Sequence, residues 1–155
     1  MPRPVLFLDI DGVVNPFDGP CPAGFTEHDL FPGEQAIRVN PDHGLWIIEL
    51  MVTFDIAWAS AWNEDANQLL GPLLGIPVLP GLVMPPAPFA PSAKVPLVAA
   101  HAGQRPAIWI DDIHTPEALT WRETRTAPTL LITADPAVGL TRTTVDHALA
   151  WAKAL

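Results

Sequence analysis

Continuous apolar runs that stop at acidic or small polar residues, separated by stretches with helical spacing, organise this chain. The first run, Val5-Leu6-Phe7-Leu8, contains no polar position before Asp9. That continuity predicts a strand buried on both faces, since a half-solvated strand alternates. Further strands are expected over 54–59, 76–79, 107–110 and 129–132. Leu45, Ile48 and Val52 recur at helical spacing and predict a short helix over 44–52, with Asn40-Pro41-Asp42 as its start and Asp42 as the cap. Residues 63–74, with acids in the first turn, read as a second helix. Ser92 is expected to cap a helix through Ala102, Thr115-Pro116-Glu117 to open the next, and 141–154 to form the last, with Val145, Leu149 and Ala152 on one side.

Strands that alternate with helices in this way imply right-handed β-α-β crossovers and a parallel sheet with helices on both faces, a Rossmann-like α/β fold. Two stretches stand outside the alternation. Residues 16–42 carry Gly-Pro, Pro-Ala-Gly and Phe-Pro-Gly-Glu turn chemistry, and 24–30 and 34–40 flank Phe31-Pro32-Gly33 as the arms of a hairpin. An insertion of that length is a candidate lid or flap. Residues 81–91 are proline-dense and read as a loop.

At 155 residues the chain is expected to form one domain, 1–155, with no internal repeat, and its 49% hydrophobic content and six tryptophans suit a packed core. A net charge of −9 disfavours stable nucleic-acid binding along the whole surface. The single cysteine, Cys21, rules out an intrachain disulfide or a thiolate zinc cluster. No apolar stretch has transmembrane length, so no membrane partner is expected. Met1-Pro2-Arg3-Pro4 runs into the first strand without a signal-peptide pattern, so a cytoplasmic protein is expected.

In a parallel sheet the carboxyl ends of the strands converge on one crevice. Asp9 and Asp11 follow the first predicted strand, Ser60 the second, and Asp111 and Asp112 a later one, while Lys94 opens a helix after the proline loop. Carboxylates that hold a divalent cation, a hydroxyl for a phosphoryl oxygen, a lysine for phosphate charge and an aspartate nucleophile make up a phosphoryl-transfer set. Taken singly, each has a plainer role. An Asp-x-Asp pair suits a solvated turn, Ser60 a cap for a helix near Trp62, Lys94 surface charge, and Asp112 a helix cap. Asp111 suits a strand end and Asn15 a turn. Trp58 reads as core and Trp62 as core or cleft lining; His114, two residues past the acid pair, reads as a bystander or a neighbour of the site, and His28 of the flap as a bystander or a substrate contact.

Four motifs in order, Asp9-Ile10-Asp11-Gly12-Val13-Val14-Asn15, Trp58-Ala59-Ser60, Ser92-Ala93-Lys94 and Ile108-Trp109-Ile110-Asp111-Asp112, resemble the haloacid dehalogenase superfamily, in particular its phosphatase-like members. Residues 131–140 are also similar to bacterial members. The resemblance implies that Asp9 attacks phosphorus and forms an aspartyl-phosphate. It implies that Asp11 protonates the leaving oxygen and then activates water, with its backbone carbonyl on the metal. Gly12, Ser60, Ala61 and Lys94 would contact the phosphoryl group. Asp9, Asp111 and Asp112, the last directly or through water, would complete a Mg2+ site. Dehalogenases of this type lack the second aspartate as acid/base, so Asp11 favours phosphate-ester chemistry.

The same resemblance implies a minimal, capless member, because 16–42 suits a flap and 75–91 has no room for a cap domain. An open site admits a small phosphorylated molecule or a macromolecular end, and small capless relatives occur in RNA-repair contexts. Arg122 and Arg125 on one helix and Arg38 in the flap region make a thin case for a basic patch. Two other readings compete. A receiver domain also clusters acids, Ser/Thr and Lys around magnesium, but its first-strand acids are adjacent and its phosphorylated aspartate ends a middle strand. A catalytically silent binding or regulatory module of the same fold is the second, although every expected catalytic side chain is present. Nothing in the chain names the substrate or the oligomeric state.

Overall fold

The computed structural model describes residues 2–155; Met1, where the reading of the N-terminus begins, lies outside them. In chain order the elements are β1 (Val5–Leu8), β2 (Thr26–His28), β3 (Ile37–Val39), α1 (Pro41–Met51), β4 (Asp55–Trp58), α2 (Gly71–Leu74), α3 (Lys94–Ala102), β5 (Ala107–Asp111), α4 (Pro116–Thr124), β6 (Thr129–Thr133) and α5 (Arg142–Lys153). Every residue of β1 is buried, as a strand with no polar position requires. It lies inside a parallel sheet of order β4-β1-β5-β6. Leu8 is level with Trp58 on one side and Ile110 on the other, so the three chains leave the sheet together. The order reverses between β1 and β5, where the crevice of such a sheet opens.

Alternate strand positions face opposite layers. Leu6, Leu8, Ile108 and Ile110 pack with Ile47 and Leu50 of α1 and Val145 and Ala148 of α5. Val5, Phe7, Ala107 and Trp109 pack with Val98 and Ala102 of α3 and Ala118 of α4. Helices therefore cover both faces. Among the described residues no helix is long and apolar enough to cross a membrane.

Several local expectations change. The first helix forms, but Leu45, Ile48 and Val52 are its solvent side, and His43, Gly44, Ile47 and Leu50 are buried. Gly44 decides the face: a Cβ there would stand 1.8 Å from the Leu74 carbonyl oxygen, so α2 packs directly on its backbone. The cap is Asn40, whose side chain accepts from the Asp42 N–H at 3.0 Å, in place of Asp42. Ser92 caps nothing; it lies in a 3-10 turn, Pro91–Ala93, that leads into α3. The 63–74 helix is replaced by turns through Glu64, a π-helical turn (Ala66–Leu70) and the short α2. Asn63 is drawn out to φ +50° while its amide accepts from Met84 N–H at 2.8 Å. No strand forms over 76–79. Asn67 donates to Leu79 O at 2.8 Å and accepts from Leu79 N–H at 3.0 Å, giving that backbone the bonds a neighbouring strand would give.

The insertion after β1 holds an antiparallel hairpin, β2–β3, shorter than the arms expected from the sequence. It is fastened by Arg38. The buried guanidinium donates to the carbonyls of Pro16 at 2.9 Å, Asp18 at 3.3 Å and Gly19 at 2.6 Å, and the Arg38 N–H to Asn15 Oδ1 at 2.9 Å.

Candidate active site

Because β1 and β5 end level, Asp9 and Asp111 emerge side by side and Asp112 follows. One carboxylate oxygen from each of the three lies within 4.8 Å of the others. Lys94, the first residue of α3, reaches this group across the crevice. Its Nζ donates to Asp9 Oδ1 at 3.0 Å, Asp111 Oδ2 at 2.8 Å and Ala59 O at 2.8 Å. Three acceptors for three N–H bonds leave the ammonium fully satisfied, which is the condition for keeping it only 8% exposed. Asp111 is fixed further by the Trp109 indole N–H at 3.3 Å and the Ile113 N–H at 3.1 Å.

One ammonium faces three carboxylates. Burial, with the Asp111 charge beside it, pushes Asp9 well above the ordinary carboxylate range despite Lys94. Asp112 is pushed up to about 6 by burial and by its hydrogen bond and charge contact with Asp111. Burial also works to raise Asp111, but Lys94 outweighs it and holds that carboxyl below its usual value. Lys94 is shifted upward, since the two carboxylates overcome the opposing effect of burial. The group is short of positive charge, and its donors are all hard oxygens. That chemistry fits a divalent cation held by Asp9, Asp111 and Asp112.

Asp11 stands apart from this group. Its Oδ1 accepts from Asn15 Nδ2 at 3.0 Å and its Oδ2 from the Trp62 indole N–H at 3.2 Å. Asn15 is therefore more than a turn residue: one end of its amide orients Asp11 and the other receives β3. Gly12, at φ +88°, is required by its backbone and by Asp112, whose Cγ would lie 2.5 Å from an added Cβ. Its N–H is bound to Asn15 O at 2.8 Å, so it is not free to bind a phosphoryl oxygen. Ser60 Oγ accepts from the Trp62 N–H at 3.1 Å, capping the turn, and keeps its own hydrogen to donate.

A cavity of about 180 Å³ is lined by Asp9, Asp11, Ser60, Ala61, Lys94, Asp111 and Asp112, together with Phe17, Phe89, Pro91 and Ile113. Of the residues expected to act on the phosphoryl group or hold the metal, Gly12 alone stays outside it. A larger cleft of about 660 Å³ adjoins it through Asp11, Phe17 and Ala61, and extends between Trp62 and the hairpin residues Phe31, Glu34, Gln35 and Ile37. The apolar lining from Phe17, Phe89 and Ile113 was not expected; these residues sit in loops, and no periodicity marks them.

The histidines do not join the site. His114 bonds Ile132 O at 3.0 Å and packs edge-on to Trp109, and His28 bonds Thr26 Oγ1 at 2.9 Å. Trp58 is core. The basic patch does not form either. Arg38 is buried in its carbonyl clamp, Arg125 lies over the Trp121 ring, and Arg122 pairs with Glu123. No family model matches the chain, and no curated protein or solved structure is significantly similar to it.

Proposed function

We propose that this protein is a magnesium-dependent phosphomonoesterase of the haloacid dehalogenase type, with the β2–β3 hairpin as its flap and no cap domain. The observation that carries the reading is the single cavity that collects Asp9, Asp11, Ser60, Lys94, Asp111 and Asp112 from four separate segments of the chain.

In this reading a phosphate monoester lies with its phosphoryl oxygens toward the Ser60 hydroxyl and the Lys94 ammonium. The Asp9 carboxylate attacks phosphorus, and the bond from phosphorus to the ester oxygen breaks. Asp11, held by Asn15 and Trp62 at the mouth of the adjoining cleft, gives its proton to the departing alkoxide. The same carboxylate, now ionised, removes a proton from water as that water attacks the aspartyl-phosphate. Inorganic phosphate forms and Asp9 is regenerated. Asp9, Asp111 and Asp112 would hold Mg2+, which when bound supplies charge stabilisation to the phosphoryl oxygens. Lys94 opposes the burial that favours the neutral form of Asp9, without cancelling it.

The test is magnesium-dependent release of phosphate from an aryl phosphate by the native chain and by Asp9→Asn. The substitution preserves shape and removes the attacking charge. Activity that needs magnesium and disappears in the variant is expected; equal rates in both proteins would overturn the mechanism.

A further inference from the structure

The cleft beside the phosphoryl pocket has its own chemistry. It shares Asp11, Phe17 and Ala61 with that pocket, so a substrate whose phosphorus lies over Asp9 projects its alcohol portion into the cleft. The walls are of two kinds. Phe31 and Trp62 meet edge to face at 5.0 Å, forming an aromatic corner, and Phe17, 42% exposed, forms a further wall. The Trp62 indole N–H is occupied by Asp11 and the residue is only 8% exposed, so what it offers a ligand is a small area of ring surface.

Three carboxylates, from Asp11, Glu34 and Asp65, line the cleft with the amides of Asn15 and Gln35 and the apolar Ile37 and Ala61, and among the described residues no Lys, Arg or His contributes to it. Among the described residues neither Glu34 nor Asp65 belongs to an ion pair. The hairpin's one arginine, Arg38, turns its guanidinium onto loop carbonyls and offers the cleft no compensating charge.

We infer that this cleft selects phosphomonoesters whose alcohol portion is an organic cation, an ammonium seated against the Phe31–Trp62 corner with Glu34 and Asp65 as counter-charges. The inference rests on the phosphoesterase reading above. Aromatic faces attract a cation through the ring quadrupole and do nothing comparable for an anion, which the Glu34 and Asp65 carboxylates repel. A neutral alcohol gains from the rings and from a hydrogen bond to a carboxylate, but leaves the charges of Glu34 and Asp65 uncompensated. A phosphorylated nucleic-acid end brings further phosphates into an acidic cleft and is disfavoured on the same ground.

The experiment has two arms. In the first, the full chain is titrated calorimetrically with benzyltrimethylammonium, benzyl alcohol and phenylmethanesulfonate. The ammonium is expected to bind at least about tenfold more tightly than the other two, and the preference to fall to within about threefold in Glu34→Gln/Asp65→Asn. Equal binding of all three, no binding of the ammonium, or a preference that survives the double substitution would overturn the inference. In the second arm, phenyl phosphates carry trimethylammoniomethyl, hydroxymethyl or sulfonatomethyl groups, whose methylene keeps their intrinsic reactivities similar. A kcat/KM order of cation, neutral, anion is expected. Hydrolysis without preference defeats the inference and leaves the phosphoesterase reading standing. Ammonium binding without hydrolysis of any ester defeats that reading and leaves the cation site standing.

Discussion

Replacing Lys94 with methionine keeps most of the length of the side chain and removes, among the described residues, the only cation paired with Asp9 and Asp111. The two contacts, at 3.0 and 2.8 Å, are worth about 5–6 kcal/mol each at an effective permittivity near 20. Most of that is offset, because an ammonium kept out of water no longer has to be desolvated, a saving of several kcal/mol. What remains is a pair of buried carboxylates facing each other without a counter-charge. The expected net loss is about 3–5 kcal/mol of unfolding free energy at neutral pH. The sign of its pH dependence follows from Asp111, whose carboxyl burial works to raise and Lys94 holds below its usual value in the native chain. Without Lys94 burial lifts it instead. A carboxyl with a raised native pKa costs nothing at pH values below its unfolded pKa. The cost grows as pH rises through the window between the unfolded and native values, then stays constant above it. The deficit of Lys94→Met is therefore larger at about pH 7.5 than at about pH 5. Urea denaturation of both proteins at the two pH values measures it. A loss below about 1 kcal/mol at neutral pH, or an equal loss at both, would refute the claim that the lysine neutralises this cluster.

Trp62→Phe removes the donor 3.2 Å from Asp11 Oδ2 while keeping a ring in place. It should lower kcat about tenfold for an alkyl phosphate, whose departure needs a proton, and barely change it for a nitrophenyl phosphate. An equal loss on both substrates would reduce Trp62 to packing. Gly12→Ala forces a Cβ to within 2.5 Å of Asp112 at φ +88° and should cost about 1–3 kcal/mol or more in urea denaturation; a neutral result would contradict the close approach. His43 is fully buried, its Nε2 2.9 Å from Leu140 O, and burial pulls its pKa down. The unfolded chain takes up a proton below about pH 6.5 and the native chain does not, so this residue withdraws stability as pH falls, up to about 1.4 kcal/mol per pH unit. The stability difference between the native chain and His43→Gln should accordingly shrink between about pH 7.5 and about pH 5.5, and a constant difference would refute it.

The parallel sheet and the convergence of Asp9, Asp111 and Lys94 were legible because each depends on short-range signals: an unbroken apolar run, an acid at its end, a lysine opening a helix. The buried face of α1 was not. Leu45, Ile48 and Val52 share the period of Ile47 and Leu50, and periodicity alone does not say which of two overlapping stripes faces inward. Gly44 decides that through a contact with Leu74, thirty positions on, which leaves no local mark. Residues 76–79 misled for a similar reason. Their backbone is satisfied by the amide of Asn67, so an apolar run that looks like a strand needs no neighbouring strand. The larger cleft is assembled from segments around Phe17, Phe31–Ile37 and Ala61–Asp65, which read separately as loop, hairpin and helix start, and nothing local joins them. Trp62 was flagged by its place beside Ser60, whereas its bond to Asp11 joins residues 51 positions apart.

Lys94 and Lys153 are the only lysines in the chain. Lys153 is exposed in the last turn of α5, and Lys94 is locked into three hydrogen bonds with its proton held firmly. A protonated, enclosed amine is a poor nucleophile, so acylating reagents discriminate between the two without any engineering. Dyes, tethers and surfaces attached through lysine go to Lys153, away from the crevice. Acylation of Lys94, in turn, marks molecules in which the crevice has come apart.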